Sequence, residues 1–554
     1  MKKILFILIL LIGFFLRFYQ LGEVPAGLTN DEASLGYDTY SLLKTGRDQW
    51  NVFLPLNFKE LGDYRLPAYI YLSLLPVKVF GLSEFSIRFI SAFFGFLSIV
   101  FIYFLSKKLF NNEKIALASS FLIAISPWSI GLSRVGLEAM LGLSFFVLAL
   151  LLFFYRQFKS YFIYLSVLFF SLTLYTYSGY TLFTPLVIFL LLFFYRKYFS
   201  ENKVRLIILL ASFIFLIAPL FVGNKVTAGV RFSQVGIINN VNSIGVKNIL
   251  DEKRGACQKE YPMIVCRTTQ NKPIAFLNEF FGNYISHFSF SFLYLSGNPT
   301  QYSILPQRGL EFLMESVFLA LGIIWALTKK KKEYLFLLSA LLLAPIPDAL
   351  TGGGHYSRSS LMLPFLLLFE GAGLFTVFLV VSKIKIKFAK YGIAALTLFL
   401  ISFTVLSFFI TYLTYYRDFY SLYSHYGHKS VMKDAFSEKD DYDRIYISKR
   451  HYDTKQYIFF LFFNKYDPLI YQSKKDVSYK IDQDGWISID RIENIYFVDN
   501  LPFLELKSKL KKNKILLIAN PADLPKKVVS KAEIKDKLGN IIFKEVELQE
   551  ALKL

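Results

Sequence analysis

The chain has 554 residues, of which 54% are hydrophobic and 18% aromatic, and it carries a formal net charge of +21. A soluble domain could not keep that much apolar surface from water, so a polytopic membrane protein is expected. The positive charge is scattered over short loops and a tail, with no compact basic domain, which argues against a nucleic-acid partner.

Apolar runs long enough to cross a hydrocarbon core of roughly 30 Å recur along the chain. Eleven spans are expected, at residues 3–19, 87–106, 115–132, 139–155, 161–178, 181–195, 206–222, 310–328, 334–350, 359–381 and 391–412. The first follows Lys2 and Lys3 as a secretory leader would, but no small-residue cleavage site comes after it. It is read as a retained span, with "FFLRFYQLG" as an aromatic interface belt.

With the N-terminus inside, Lys2, Lys3, Lys107, Lys108, Lys114, Arg156, Lys159, Arg196, Lys197 and Lys329 to Lys332 all fall on inner segments, against few acids such as Glu113 and Glu201. That is the positive-inside pattern. It predicts a multi-pass cell-membrane protein with a cytoplasmic N-terminus and three outer segments: a first loop (20–86), a second loop (223–309) and the tail (413–554). Cys257 and Cys266 both lie in the second loop, where an oxidising compartment favours a disulfide. In the tail, "DRIYISKR", "ENIYFVDN" and "KILLIANPADLP" are short β-rich runs between turn signals, so a small soluble α/β domain is expected there. No fixed-period repeat appears.

The first loop places Asp31 and Glu32 side by side in "NDEASLGYDTYSLLKTG", which suits a short amphipathic helix in the interface beginning near Asn30. An acid at a helix start can be a cap alone, but here a second polar knot, "GDYRLP" with Asp63 and Arg65, follows in the same loop. "SRVGLE" puts Arg134 and Glu138 four residues apart, on one face if helical, where an ionisable pair near the bilayer faces a cavity or pins a turn. "PDALTGGGHYSRSS" adds His355 and Arg358 beside three glycines; a Gly-rich turn lets amides approach an anion and Arg offers a planar fork for phosphate. A carboxylate as general base and arginines beside a departing phosphate suit transfer from a phosphate-bearing lipid.

In order and context these motifs resemble the GT-C glycosyltransferases, and most nearly the dolichyl-phosphate-mannose protein mannosyltransferases with their bacterial aminoarabinose-transferase relatives. The resemblance covers residues 1–412. It implies a membrane-helix bundle with helical outer loops, here of about eleven helices, and the small α/β domain read from the β-rich runs follows at 413–554, outside the resemblance. It also implies a polyprenyl-phosphate sugar donor and inverting transfer; the acceptor at the outer face, a glycan, lipid or protein hydroxyl, is left open, and a protein acceptor is not implied. On this resemblance Asp31 and Glu32 are catalytic, while Asp63, Arg65, Arg134, Glu138, His355 and Arg358 line the donor site. No residue set demands a metal, although a divalent ion is used by some members. Two departures stand out: "YTYSGYTLFTP" lacks the Arg that relatives often carry there, and the second loop shows no MIR-type domain. A transporter of lipid-linked sugars fits less well, because its midplane would carry broken or charged helices. An O-antigen-type polymerase or ligase would place its arginines in a large late loop, whereas the large loop here is a middle one.

Overall fold

The computed structural model describes residues 2–60, 64–221, 236–238, 244–298, 308–421, 425–449, 455–481, 487–499, 501, 514–525 and 527–551. The chain is mainly helical, and every expected span coincides with a helix or a pair of helices. Among the described residues, four helices are long and apolar enough to cross a membrane alone: Glu84–Phe110, Lys203–Phe221, Ser359–Ser382 and Lys387–Phe419. Glu113–Ile125 and Pro127–Ser133 form a fifth if a 56° bend between them is counted within one span. Pro127, which has no N–H to continue the ladder, marks that bend. Others, such as Ala139–Tyr155 and Phe162–Leu174, have 17 and 13 residues. At 1.5 Å per residue they are shorter than the roughly 30 Å that a straight crossing needs.

The described chain divides into two compact units, each considered by itself. The larger joins residues 1–17, 93–133 and 138–408. Its helices approach closely where side chains are smallest. A Cβ at Gly322 would lie 1.8 Å from the Phe369 carbonyl oxygen, and one at Gly373 would lie 1.7 Å from that of Phe318. The Glu315–Lys329 and Leu363–Ser382 helices therefore meet backbone to backbone, the usual route to tight helix pairs in lipid. Arg17, in the last turn of the first helix, is fully buried, while the neighbouring Phe14, Phe15 and Tyr19 are exposed. It donates to the carbonyls of Ile123 and Ala124 and to Ser129 Oγ, fastening the first helix to the bent pair.

The second unit joins residues 18–92, 134–137 and 409–554, so the tail folds with the first loop and the compact units do not divide at 412/413. Within the loop, β1 (Phe58–Lys59) and β2 (Tyr64–Arg65) make a short antiparallel ribbon. In the tail a seven-stranded sheet has the order β4-β5-β6-β3-β7-β9-β8, comprising β3 (Arg444–Ser448), β4 (Val477–Ile481), β5 (Ile487–Ile492), β6 (Ile495–Val498), β7 (Ile515–Ala519), β8 (Ala532–Lys535) and β9 (Ile541–Glu547). The central β6, β3 and β7 are parallel and the rest antiparallel. β7, "ILLIA", is buried throughout, as expected of a parallel strand covered on both faces.

The Asn30–Thr45 helix of the first loop is a buried element, not an interfacial one: Ala33 to Thr39 are all buried. The tail covers it. A Cβ at Gly36 would lie 2.4 Å from the Phe462 ring, and Tyr37 donates to the Tyr466 carbonyl at 3.1 Å. Gln472 Nε2 lies within hydrogen-bond reach of Ser41 Oγ, Thr45 Oγ1 and the Asp48 carbonyl at 2.9, 3.1 and 2.9 Å. Beside it the Lys474 ammonium sits 3.3 Å from the Tyr471 ring centroid and 4.5 Å from that of Trp50.

Burial pushes Lys474 down to about 7, against the pull of Asp48 and Asp38, which raises it. Above that value, up to the ordinary lysine range, the unfolded chain binds a proton that the folded chain lacks, so stability grows as pH rises. The melting temperature of the wild type should therefore climb relative to Lys474→Met between about pH 7 and about pH 9. A gap that stays constant across the range would show that Lys474 does not titrate in the folded protein.

Candidate active site

The adjacent acids of the first loop have opposite environments. The helix is capped by Thr29, whose side chain accepts from the Glu32 N–H while the Glu32 carboxylate accepts from the Thr29 N–H, a capping box. Asp31 is therefore not the cap. Glu32 is buried, and its Oε1 also accepts from Arg88 Nε and from the Gly136 N–H, each at 2.8 Å. Arg88 in turn donates to the carbonyls of Leu21, Pro25 and Gly27. Every side of Glu32 is engaged in holding the chain, so it positions its neighbour.

Asp31 is left open, with its side chain 55% exposed. Arg65 approaches its carboxylate at 3.4 Å, donates to its carbonyl at 3.1 Å and pairs with Glu60 at 3.0 Å. The ribbon of β1 and β2 sets Arg65 in that position. Asp63 lies outside the described residues.

Residues 134–138 are a turn between the Pro127–Ser133 and Ala139–Tyr155 helices, so Arg134 and Glu138 do not share a helical face. The reason is steric and polar together. Gly136 passes so close to the second span that a Cβ would lie 2.7 Å from Ile87 Cγ2, and this approach delivers its N–H to Glu32. Arg134 is buried and donates to the carbonyls of Tyr19 and Val24 at 2.8 and 3.0 Å, with its guanidinium 5.5 Å from the Tyr412 ring centroid.

The late turn belongs to the larger unit and is organised around Asp348, which sequence reasoning passed over. Asp348 Oδ2 accepts from the His355 N–H, from Ser359 Oγ and pairs with His287 Nε2, at 2.8, 2.7 and 2.9 Å. Arg358 donates to the carbonyl and hydroxyl of Thr351 at 3.2 and 3.1 Å. Tyr177 lies in the electrostatic fields of Arg358, Asp348 and Glu138. Tyr177 comes from the "YTYSGYTLFTP" turn, where relatives often carry an Arg, so this turn meets the late one through a phenol. Trp128 Nε1 donates to the Tyr356 carbonyl and Tyr356 Oη donates to that of Trp128, joining the "SPWSIG" and "GGGHYSR" segments. Gly352 and Gly354 have φ of +110° and +71°, the left-handed region open to glycine.

The structure thus groups Asp31, Glu32, Arg65 and Arg134 in one unit and Glu138, His355 and Arg358 in the other. Arg88 and Asp348 were legible as charges inside apolar runs, "SIRFIS" and "APIPDAL", a signal that ordinarily marks a partner or a site. Cys257 and Cys266 are joined by a disulfide, with Cα atoms 5.7 Å apart. Among the described residues no three His, Cys, Asp or Glu side chains are grouped to hold a metal ion, and no residue is assigned that role.

This division of the acid pair has a direct consequence. Glu32→Ala strands a buried guanidinium and should lower stability by about 3–5 kcal/mol, whereas Asp31→Ala removes only an exposed contact and should cost less than about 1 kcal/mol. Thermal denaturation of the purified variants measures both, and equal losses would overturn the distinction.

The family model for dolichyl-phosphate-mannose-protein mannosyltransferase matches residues 65–221. No curated protein matches the chain in sequence. Among solved structures, ArnT from Cupriavidus metallidurans in the apo state is similar at a TM-score of 0.53 and 11% identity, over 99% of this chain and 97% of that one. The same enzyme bound to undecaprenyl phosphate gives 0.52 and 12%, over 99% and 98%. The family match is confined to the first part of the chain, and at such identities the likeness along its whole length is one of fold.

Proposed function

We propose that the protein transfers a sugar from a polyprenyl-phosphate carrier to a hydroxyl acceptor on the outer face of the membrane, with inversion at the anomeric carbon. The observation that carries this reading is the exposed Asp31 carboxylate, set at a helix start by a fully engaged Glu32 and flanked by Arg65. A general base must stay accessible to the hydroxyl whose proton it takes. That ArnT from Cupriavidus metallidurans has been seen with undecaprenyl phosphate supports the donor class.

In this mechanism the acceptor oxygen attacks the anomeric carbon while Asp31 takes its proton. The bond from that carbon to the phosphate oxygen breaks, and polyprenyl phosphate leaves with the electron pair. Charge then grows on the phosphate, where a preorganised guanidinium is most effective. Arg358, steadied by Thr351, is the residue we assign to it, with Arg65 and Arg134 as further basic residues of the donor site.

Asp31→Asn keeps shape and should keep folding and donor binding, while transfer falls about 100- to 10,000-fold, the usual loss for a missing general base. An active Asp31→Asn enzyme in a radiolabelled-donor assay would overturn the assignment. Arg358→Ala should weaken donor use more than Arg358→Lys, because lysine keeps the charge but not the planar fork. Equal wild-type turnover in both variants would remove Arg358 from the site. For orientation, the Lys and Arg distribution predicts an outer C-terminus, so a phosphatase reporter fused after Leu554 should be active. A silent phosphatase with an active cytoplasmic reporter would reverse the topology.

A further inference from the structure

The second loop carries a feature that sugar transfer does not explain. Its Cys257–Cys266 disulfide closes a short tip whose second half is apolar and turned outward: after Gln258, Lys259 and Glu260, the residues Tyr261, Met263 and Ile264 are exposed, Ile264 by 72%. A disulfide-closed turn in water ordinarily displays polar side chains. From the tip the chain enters the Lys272–Ser286 helix, capped by Asn271, whose side chain accepts from the Ile274 N–H. At 100° per residue, Leu277, Phe281 and Ile285 fall within one quadrant, and all three are exposed, Ile285 by 65%. Asn278 and Gly282 border that line, and Glu279 and Asn283 lie on the opposite side, partly buried. The helix is amphipathic, with its apolar side uncovered within this unit.

The root of this helix is tied to membrane helices. Tyr284 Oη donates to the Leu342 carbonyl at 2.7 Å, at the end of the Lys332–Leu343 helix, and Asn283 donates to the Ala349 carbonyl at 3.3 Å. His287 pairs with Asp348 one turn further on. The exposed apolar line therefore starts beside the end of the Lys332–Leu343 helix. Exposed Lys259, Arg267 and Lys272 bracket the tip and the helix start, as basic residues do around segments that rest on lipid.

We infer that the Cys257–Cys266 tip and the Lys272–Ser286 helix lie in the headgroup layer of the bilayer, with Ile264, Phe281 and Ile285 reaching the acyl boundary and Lys259, Arg267 and Lys272 meeting anionic head groups. Such helices sink their apolar side about 5–10 Å into the interface. The arrangement makes the second loop a lipid-supported arm, held at one end by the Asp348 cluster and at the other by the bilayer surface. This does not depend on which sugar or acceptor the enzyme uses.

The native cysteines are bonded to each other, so Phe281→Cys, Ile285→Cys and Glu279→Cys each offer a single thiol to a nitroxide label without reductant. The full-length protein is placed in nanodiscs of phosphatidylcholine with and without phosphatidylglycerol. Accessibility to oxygen and to a water-soluble nickel chelate is then read by power saturation. The ratio of oxygen to chelate accessibility should be several-fold higher at 281 and 285 than at 279. Phosphatidylglycerol should raise it further at 281, and Lys259→Glu with Arg267→Glu should cancel that gain. Chelate-favoured labels at 281 and 285 would place the helix in water and overturn the inference. Labels shielded from both reagents would mean a protein partner or second copy covers the face, and oxygen-favoured labels at all three sites would mean the helix is immersed; either result overturns it. A phosphatidylglycerol effect that survives the double charge reversal would remove the basic residues from the proposal.

Discussion

The first loop is organised by one buried ion pair, Arg88 with Glu32 at 2.8 Å. A charge carried by a membrane helix is tolerated only when its donors are satisfied, and Arg88 meets this through three backbone carbonyls and a carboxylate. The same carboxylate closes the capping box with Thr29 and receives the Gly136 N–H. One side chain thus ties together the start of the first-loop helix, the second span and the turn after the third. The open position of Asp31 is a product of this tie, because its neighbour absorbs the capping and pairing that an isolated acid there would otherwise perform.

Asp348 does comparable work in the late turn. A buried carboxylate with three donors from the turn, the following helix and the second loop fixes a glycine-rich segment that has little side-chain packing of its own. The reciprocal Trp128–Tyr356 bonds add a second constraint at the same place. Both clusters follow from the same rule: deep polar groups persist where each has a partner, and the segments they join become rigid. Arg358 inherits that rigidity through Thr351.

The α/β tail also has a mechanical part. Its Phe462, Tyr466 and Gln472 cover one side of the first-loop helix, and Lys474 closes the edge among aromatic rings near the acids of that loop. This explains why a helix that reads as interfacial in sequence is buried on both sides. It also explains why the loop and tail fold as one unit although hundreds of residues separate them.

Much of the architecture was legible from local pattern alone. Hydropathy located the helices, and the three β-rich runs of the tail are the three parallel strands β3, β6 and β7, because continuous apolar composition is what a doubly covered strand requires. The acid pair, the Arg65 knot and the glycine turn were visible as motifs, since chemistry-bearing residues beside a membrane stand out against an apolar background. Local pattern was silent on partnership. Which of Asp31 and Glu32 is locked, that residues 134–138 turn instead of continuing a helix, that Arg17 is buried and fastens distant helices, and that Asp348 gathers the late turn all depend on groups up to about a hundred residues away meeting across a fold. The physical reason is that periodicity reports which face of a segment avoids water, whereas the destination of each polar group is settled only when distant elements pack and every buried donor must find its acceptor.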